Sequence, residues 1–171
     1  MKKILFALLL SVFVLAGCSP KAPGTSLSQT KEDLKITLYL DKRTYTSTEV
    51  ITPYAEVEYV GKEDKITLIT GSPSVYFSVT GGKYHKGEYA IEDMAIMLEL
   101  KKNTPVRFDF SKSGGFETNS PDAPFWEAYY AQKELMLEPG TYDLEAGLIY
   151  RLQGEPQDTT LKVKMSITVT K

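Results

Sequence analysis

The chain has 171 residues, 20 Lys and Arg against 22 Asp and Glu, a formal charge of −2 and a 42% share of hydrophobic residues. That length suits one globular domain plus a short accessory segment, and a faintly acidic chain with no basic stripe is a poor ligand for nucleic acid or anionic lipid. One cysteine and one histidine exclude an internal disulfide, a Cys-based metal site and the usual zinc site, and no metal or cofactor is expected.

Lys2 and Lys3 open the chain, Ile4 to Val14 forms an apolar run broken only by Ser11, and Leu15-Ala16-Gly17 sets small residues directly before Cys18. A positive patch, an apolar core and small residues follow one another as a secretion signal requires. As a helix, the stretch from Ile4 to Gly17 would be about 21 Å long at ~1.5 Å per residue, short of a hydrocarbon core of roughly 30 Å. Leu15-Ala16-Gly17-Cys18 resembles the lipobox of bacterial lipoproteins. The resemblance implies a signal peptide over residues 1–17, cleavage between Gly17 and Cys18, and a diacylglycerol thioether on the Cys18 thiol. Two acyl chains make a durable anchor where one is marginal, so the expected location is the extracytoplasmic face of the cell membrane. Loss of residues 1–17, with Lys2 and Lys3, would leave 154 residues carrying 18 basic and 22 acidic side chains.

Residues 18–32 read as the lipidated cysteine and a flexible tether, because Ser19 to Lys31 is rich in Pro, Ser, Thr and Gly and has almost nothing to bury. From residue 33 to 171 the dominant signal has a period of two, which marks half-buried strands. Leu34, Ile36, Leu38 and Leu40 alternate with polar neighbours, as do Ala55, Val57 and Tyr59, where Pro53 points to a sheet edge or bulge. Ile66 to Ile69 and Val75 to Val79 form two short runs around a Gly71-Ser72-Pro73 break. Alternation resumes at Ile96, Leu98 and Leu100, at Val106, Phe108 and Phe110, from Tyr142 to Tyr150, and from Leu161 to Val169. Turn residues separate these runs, among them Gly81-Gly82 and Gly154-Glu155-Pro156. The pattern predicts an all-β antiparallel sandwich of seven to eight strands. Phe116 to Glu134 departs from it, with Asp122 as an N-cap and Pro124 in the first turn of a short helix inside a long loop.

Leu137-Glu138-Pro139-Gly140-Thr141-Tyr142, a leucine and Pro-Gly-Thr before an aromatic that opens a strand, resembles the E–F corner of immunoglobulin- and fibronectin-type sandwiches. Together with the early Leu40-Asp41-Lys42-Arg43-Thr44-Tyr45 and the unit from Lys101 to Phe108, the layout resembles the Bacillus intracellular proteinase inhibitor family. The resemblance implies an immunoglobulin-like fold and a non-catalytic, protein-directed role.

Catalytic signatures are sparse. His85 lies in the polar stretch Lys83-Tyr84-His85-Lys86 and reads as an exposed loop residue, and no Gly-x-Ser-x-Gly elbow is present. Glu56 with Glu58, and Glu92 with Asp93, are the acid pairs that a glycosidase would need; Glu117, Asn119 and Asp122 offer oxygen ligands for calcium without EF-hand spacing. Phe116, Phe125, Trp126, Tyr129 and Tyr130 crowd into 15 residues and include the only tryptophan. They read either as a partner-binding hot spot or, for Phe125, Trp126 and Tyr129 at helical spacing i, i+1 and i+4, as a cap on one end of the sandwich, with Tyr130 exposed in both cases. The expected function is a membrane-anchored, non-catalytic module that binds a protein at the cell surface; the alternatives are inhibition of an extracellular protease and carbohydrate binding in the envelope.

Overall fold

Two stacked sheets follow from the alternation. A computed structural model describes residues 24–171; the signal segment, Cys18 and residues 19–23 lie outside the described residues. The strands are β1 (Thr25–Lys31), β2 (Leu34–Leu40), β3 (Thr44–Thr46), β4 (Tyr54–Tyr59), β5 (Lys65–Gly81), β6 (His85–Lys86), β7 (Glu92–Lys101), β8 (Val106–Asp109), β9 (Gly140–Leu152) and β10 (Thr159–Thr170), with one helix, α1 (Ala123–Ala131). The first sheet runs β1-β2-β4-β8; the second runs β3-β10-β9-β5-β6, with β7 also paired to β5. All pairings are antiparallel except that of β3 with the last strand, β10, which is parallel. The chain is therefore an all-β sandwich, as the period-two pattern predicts.

The alternating residues make the core. Leu34, Ile36, Leu38 and Leu40 of β2 and Ala55, Val57 and Tyr59 of β4 face Leu144, Ala146, Leu148 and Tyr150 of β9 and the series Leu161 to Val169 of β10, all of them buried. Burial of apolar surface at about 25 cal/mol per Å² is the main force holding the sheets together. Outward-facing residues pair across strands instead. Tyr39 stacks on Tyr54 at 4.6 Å, the Arg107 guanidinium lies 3.6 Å above the Tyr54 ring, and the Tyr39 hydroxyl donates to Glu56 at 2.8 Å. Partial burial and the Glu56 carboxylate push the Tyr39 phenol up to about 12. On the other sheet Gly147 leaves room for the Tyr76 ring, which would stand 2.2 Å from a Cβ at that position.

Two expectations are corrected. Residues 25–31, read as tether, form β1, an edge strand paired with β2 from Thr25–Leu40 to Lys31–Leu34. Ser26 to Lys31 are all exposed and mostly polar, so the strand has no alternation of apolar and polar residues; its stability comes from backbone pairing, which polar composition does not reveal. The runs on either side of Gly71-Ser72-Pro73 belong to one strand, β5. Between Thr70 and Val75 its register against β9 shifts, residues 71–74 of β5 standing against Ile149 of β9 alone. The break is a bulge, not a turn. Pro53 stands just before β4, its carbonyl accepting from the Phe110 amide at 3.2 Å.

The corner before β9 is locked by one bond. The Tyr142 hydroxyl donates to the Glu138 carbonyl, four residues upstream, at 2.9 Å, while the ring is buried. This is the tyrosine-corner geometry of sandwich domains. Tyr142→Phe keeps the ring and removes the donor, so urea denaturation should report a loss of about 1 kcal/mol; an unchanged midpoint would mean that water replaces the bond.

Candidate functional site

The registers gather one set of strand termini at one end of the sandwich. Val169 pairs with Gly140, Gly81 with Tyr142, and His85 with Gly81. Thr25 pairs with Leu40, Tyr39 with Tyr54, and Tyr54 with Asp109 in the other sheet. The long connection from β8 to β9 crosses this end and carries α1.

Helix formation here is local. Ala123, Ala128, Ala131 and Glu127 are good helix formers, and Pro124 sits in the first turn, where no amide partner is lost. Asp122 occupies the N-cap as predicted, but its side chain makes no capping bond; its carbonyl accepts from the amides of Phe125 and Trp126 at 3.1 and 3.2 Å. At the other end the Lys112 ammonium donates to the carbonyls of Tyr129 and Gln132, each at 2.6 Å, and sits 3.9 Å from the centre of the Tyr129 ring. A cation on the last carbonyls complements the helix dipole. Partial burial pulls the Lys112 pKa below its usual value, against the pull of Glu134.

All five aromatic residues singled out in the sequence meet around this helix. Trp126 is 9% exposed, with Phe125 and Tyr129 edge-on at 5.1 and 5.5 Å and Tyr130 stacked at 5.9 Å. Phe116 stacks on Tyr130 at 6.0 Å. Trp126 is therefore a cap on the sandwich end and no contact residue: as the largest apolar ring of a short helix it turns inward. Tyr130, expected to be exposed, is half-buried, as are Phe116, Phe125 and Tyr129, because each leans on another ring of the group.

The residue that sequence reasoning misplaced is His85. It is 8% exposed, not a loop residue in solvent. The glycine pair Gly81-Gly82, with φ of 128° and 58°, folds the chain back tightly and makes His85 the start of β6. There its ring has Phe125, Trp126, Tyr129 and Tyr142 edge-on at 5.6, 5.3, 4.9 and 5.9 Å. Burial lowers its pKa to about 4, Glu88 opposing and Lys112 adding to the shift, so the imidazole is neutral near pH 7. Next to it Tyr84 stacks on Phe125 at 3.9 Å, a sixth aromatic of the group. Lys83 and Lys86 disguise this pair in the sequence, since the rings that bury it come from α1 and β9, much later in the chain.

This is a packed cap and not a ligand chamber. The cavity among His85, Glu88, Lys112, Trp126, Tyr129 and Tyr130 has a volume of about 10 Å³, at the lower limit for one water. The acid pairs lie elsewhere. Glu56 accepts from Tyr39, and Glu58 is held by Lys35 at 2.6 Å; Glu92 and Asp93 border an open depression with Arg151 and Asp158 on the outside of the second sheet. No group of three or more His, Cys, Asp or Glu is placed to hold a metal ion among the described residues, and no helix among them is long and apolar enough to cross a membrane. No protein-family model and no curated protein matches the chain.

Proposed function

We propose that this chain is a lipid-anchored, extracytoplasmic and non-catalytic module that binds a protein at the cell surface through the aromatic face of α1. The observation that carries this reading is the pairing of half-buried outer rings with a buried support. Tyr84 on Phe125, and Phe116 on Tyr130, rest against Trp126 and His85. Rings already fixed in place lose little entropy on binding and are suited to act as anchors. The parallel pairing of β3 with the last strand and the Tyr142 corner support an immunoglobulin-like sandwich. The lipobox-like Leu15-Ala16-Gly17-Cys18 supports the anchor. β1 starts seven residues after Cys18, a reach of at most ~25 Å at about 3.6 Å per residue, so the module would work close to the membrane.

The test is a crosslinked pull-down from membranes of cells that express the full chain, comparing wild type with Phe125→Ser/Tyr130→Ser. Trp126 is left intact so that the cap stays assembled. The double variant should capture at least about tenfold less of a discrete partner, the effect of losing ~1.4 kcal/mol at a hot spot, with its circular dichroism unchanged. Equal capture by both proteins would retire the aromatic face as the binding surface.

A further inference from the structure

Two irregularities of the second sheet coincide. Residues 71–74 of β5 stand against Ile149 of β9 alone, and on the other side of β5 Gly71 stands against residues 93–95 of β7. Bulges on both sides of one strand interrupt the ladder and re-aim the side chains around it. A Cβ on Gly71 would lie 2.2 Å from Ile91 Cγ2, so the glycine lets the segment that enters β7 press onto β5. The result is a depression of about 320 Å³ on the outer face of the sheet. That volume lies within the range of roughly 300–1,000 Å³ for small-molecule sites, which the cavity beside His85 does not approach.

The floor of the depression is apolar. Ile69 pairs with Arg151, and Ile149 stands two residues before Arg151, so all three share the outer face. Ile91 and Ala95 complete the apolar lining. Tyr89, 43% exposed, lies at the rim and stacks with one face on Tyr76 at 4.0 Å. Tyr76 is itself fixed, its ring pressed over Gly147 and its hydroxyl donating to Glu145 at 3.1 Å. Tyr89 is therefore a supported ring with surface to spare. Four charged groups stand around it. Glu92 and Asp93 come from β7, Arg151 from β9 and Asp158 from the segment before β10, so they reach the depression from both sides of β5. Among the described residues Glu92 and Asp93 take no ion pair. Arg151 meets Asp158 only at 4.0 Å, longer than a hydrogen bond.

This lining selects the chemistry of a ligand. An anion would meet three carboxylates against one guanidinium. A cation would gain from the carboxylates but face the like charge of Arg151. A neutral polyol uses every group, since each hydroxyl can donate to a carboxylate and accept from the guanidinium. The C–H face of a sugar ring also suits an aromatic platform and an isoleucine floor. We infer that the depression between Tyr89 and Arg151 is a saccharide-binding site, in which a sugar ring packs on Tyr89, Ile69 and Ile149 while Glu92, Asp93, Asp158 and Arg151 take its hydroxyls. The site shares no residue with the aromatic face of α1, and it depends neither on the anchor nor on the protein-binding reading.

Saturation-transfer NMR on the full chain in a sugar-free detergent tests it. The probes are cellobiose, lactose and N,N′-diacetylchitobiose, with hexylamine as a cation that lacks hydroxyls. At least one disaccharide should receive saturation at its ring protons, and hexylamine at equal concentration should not displace it. Titration of that disaccharide should weaken at least about fivefold in Tyr89→Ala and in Arg151→Ala, with circular dichroism unchanged. It should stay within about twofold of wild type in Tyr89→Phe, which keeps the ring, and in Phe125→Ser/Tyr130→Ser. Arg151 is a partly exposed side chain on the wall opposite Tyr89, so its variant reads the site even if Tyr89→Ala unfolds. No saturation of any of the three disaccharides, binding that survives Arg151→Ala, binding lost in Phe125→Ser/Tyr130→Ser, or displacement by hexylamine would each overturn the inference.

Discussion

Trp126→Ala should cost about 3–5 kcal/mol of stability, the range for removing a buried aromatic from a core. The ring is enclosed by His85, Phe125, Tyr129 and Tyr130 at 5.1 to 5.9 Å between centroids, and the cavity beside it has a volume of only about 10 Å³, so its surroundings are closely packed. α1 has nine residues, fewer than the roughly 12–15 at which an isolated helix becomes even marginally stable in water. Its persistence therefore depends on what it packs against, and Trp126 and Ala123 are its two buried residues. Urea denaturation followed by far-ultraviolet circular dichroism gives the loss directly. Trp126→Phe, which keeps an aromatic in place, should lose less than half as much. If Trp126→Ala costs under about 1 kcal/mol, α1 is a detachable surface helix and the aromatic face has no rigid support.

The same residues show how far a sequence carries. The main strands of the sandwich were legible because Leu34 to Leu40, Tyr142 to Tyr150 and Leu161 to Val169 each write one buried face at a period of two. β1 was not, because an edge strand with both faces wet has no alternation to read, and its Ser, Thr and Gln look like a linker. The bulge in β5 was read as a break, since Gly71-Ser72-Pro73 carries the composition of a turn and only the partner strand reveals that pairing resumes. At the cap, crowding of five aromatics into 15 residues located the group, and Asp122 with Pro124 located the helix. Which ring would be buried was not legible, because that is decided by the position of the sandwich end relative to α1. For His85 the local sequence pointed the wrong way: Lys83 and Lys86 are solvent-facing neighbours of a side chain whose surroundings come from Phe125 to Tyr142.

The burial of His85 should make the domain acid-sensitive in a defined window. In the unfolded chain the imidazole titrates near 6.5, whereas in the folded protein its pKa falls to about 4. The folded-state value is the lower one, so between these limits the unfolded chain binds the extra proton and gains stability by doing so. Stability is complete above about pH 6.5, falls as pH drops towards 4, and loses nothing more from this group below that, by which point the loss is on the order of 3 kcal/mol. Glu88 is the one nearby carboxylate favouring the charged ring, and Lys112 opposes it; the other surroundings are the edges of four aromatic rings, which offer a cation little in place of water. His85→Phe removes the titration and keeps an aromatic in the cap. Asp143, Glu49 and Glu99, held below their usual pKa values by Ser166 and Lys164, by Lys42 and the Thr46 amide, and by Lys65, also lose stability in acid, but they do so identically in both proteins. The difference between wild-type and His85→Phe stability, measured by urea denaturation from about pH 7.5 to 4, therefore isolates the histidine. It should move by a few kcal/mol in favour of the variant as pH falls, with most of the change between about 6 and 4.5. Parallel curves would mean that the imidazolium is as well accommodated in the fold as in water, and the aromatic cap would then be open to solvent at its centre.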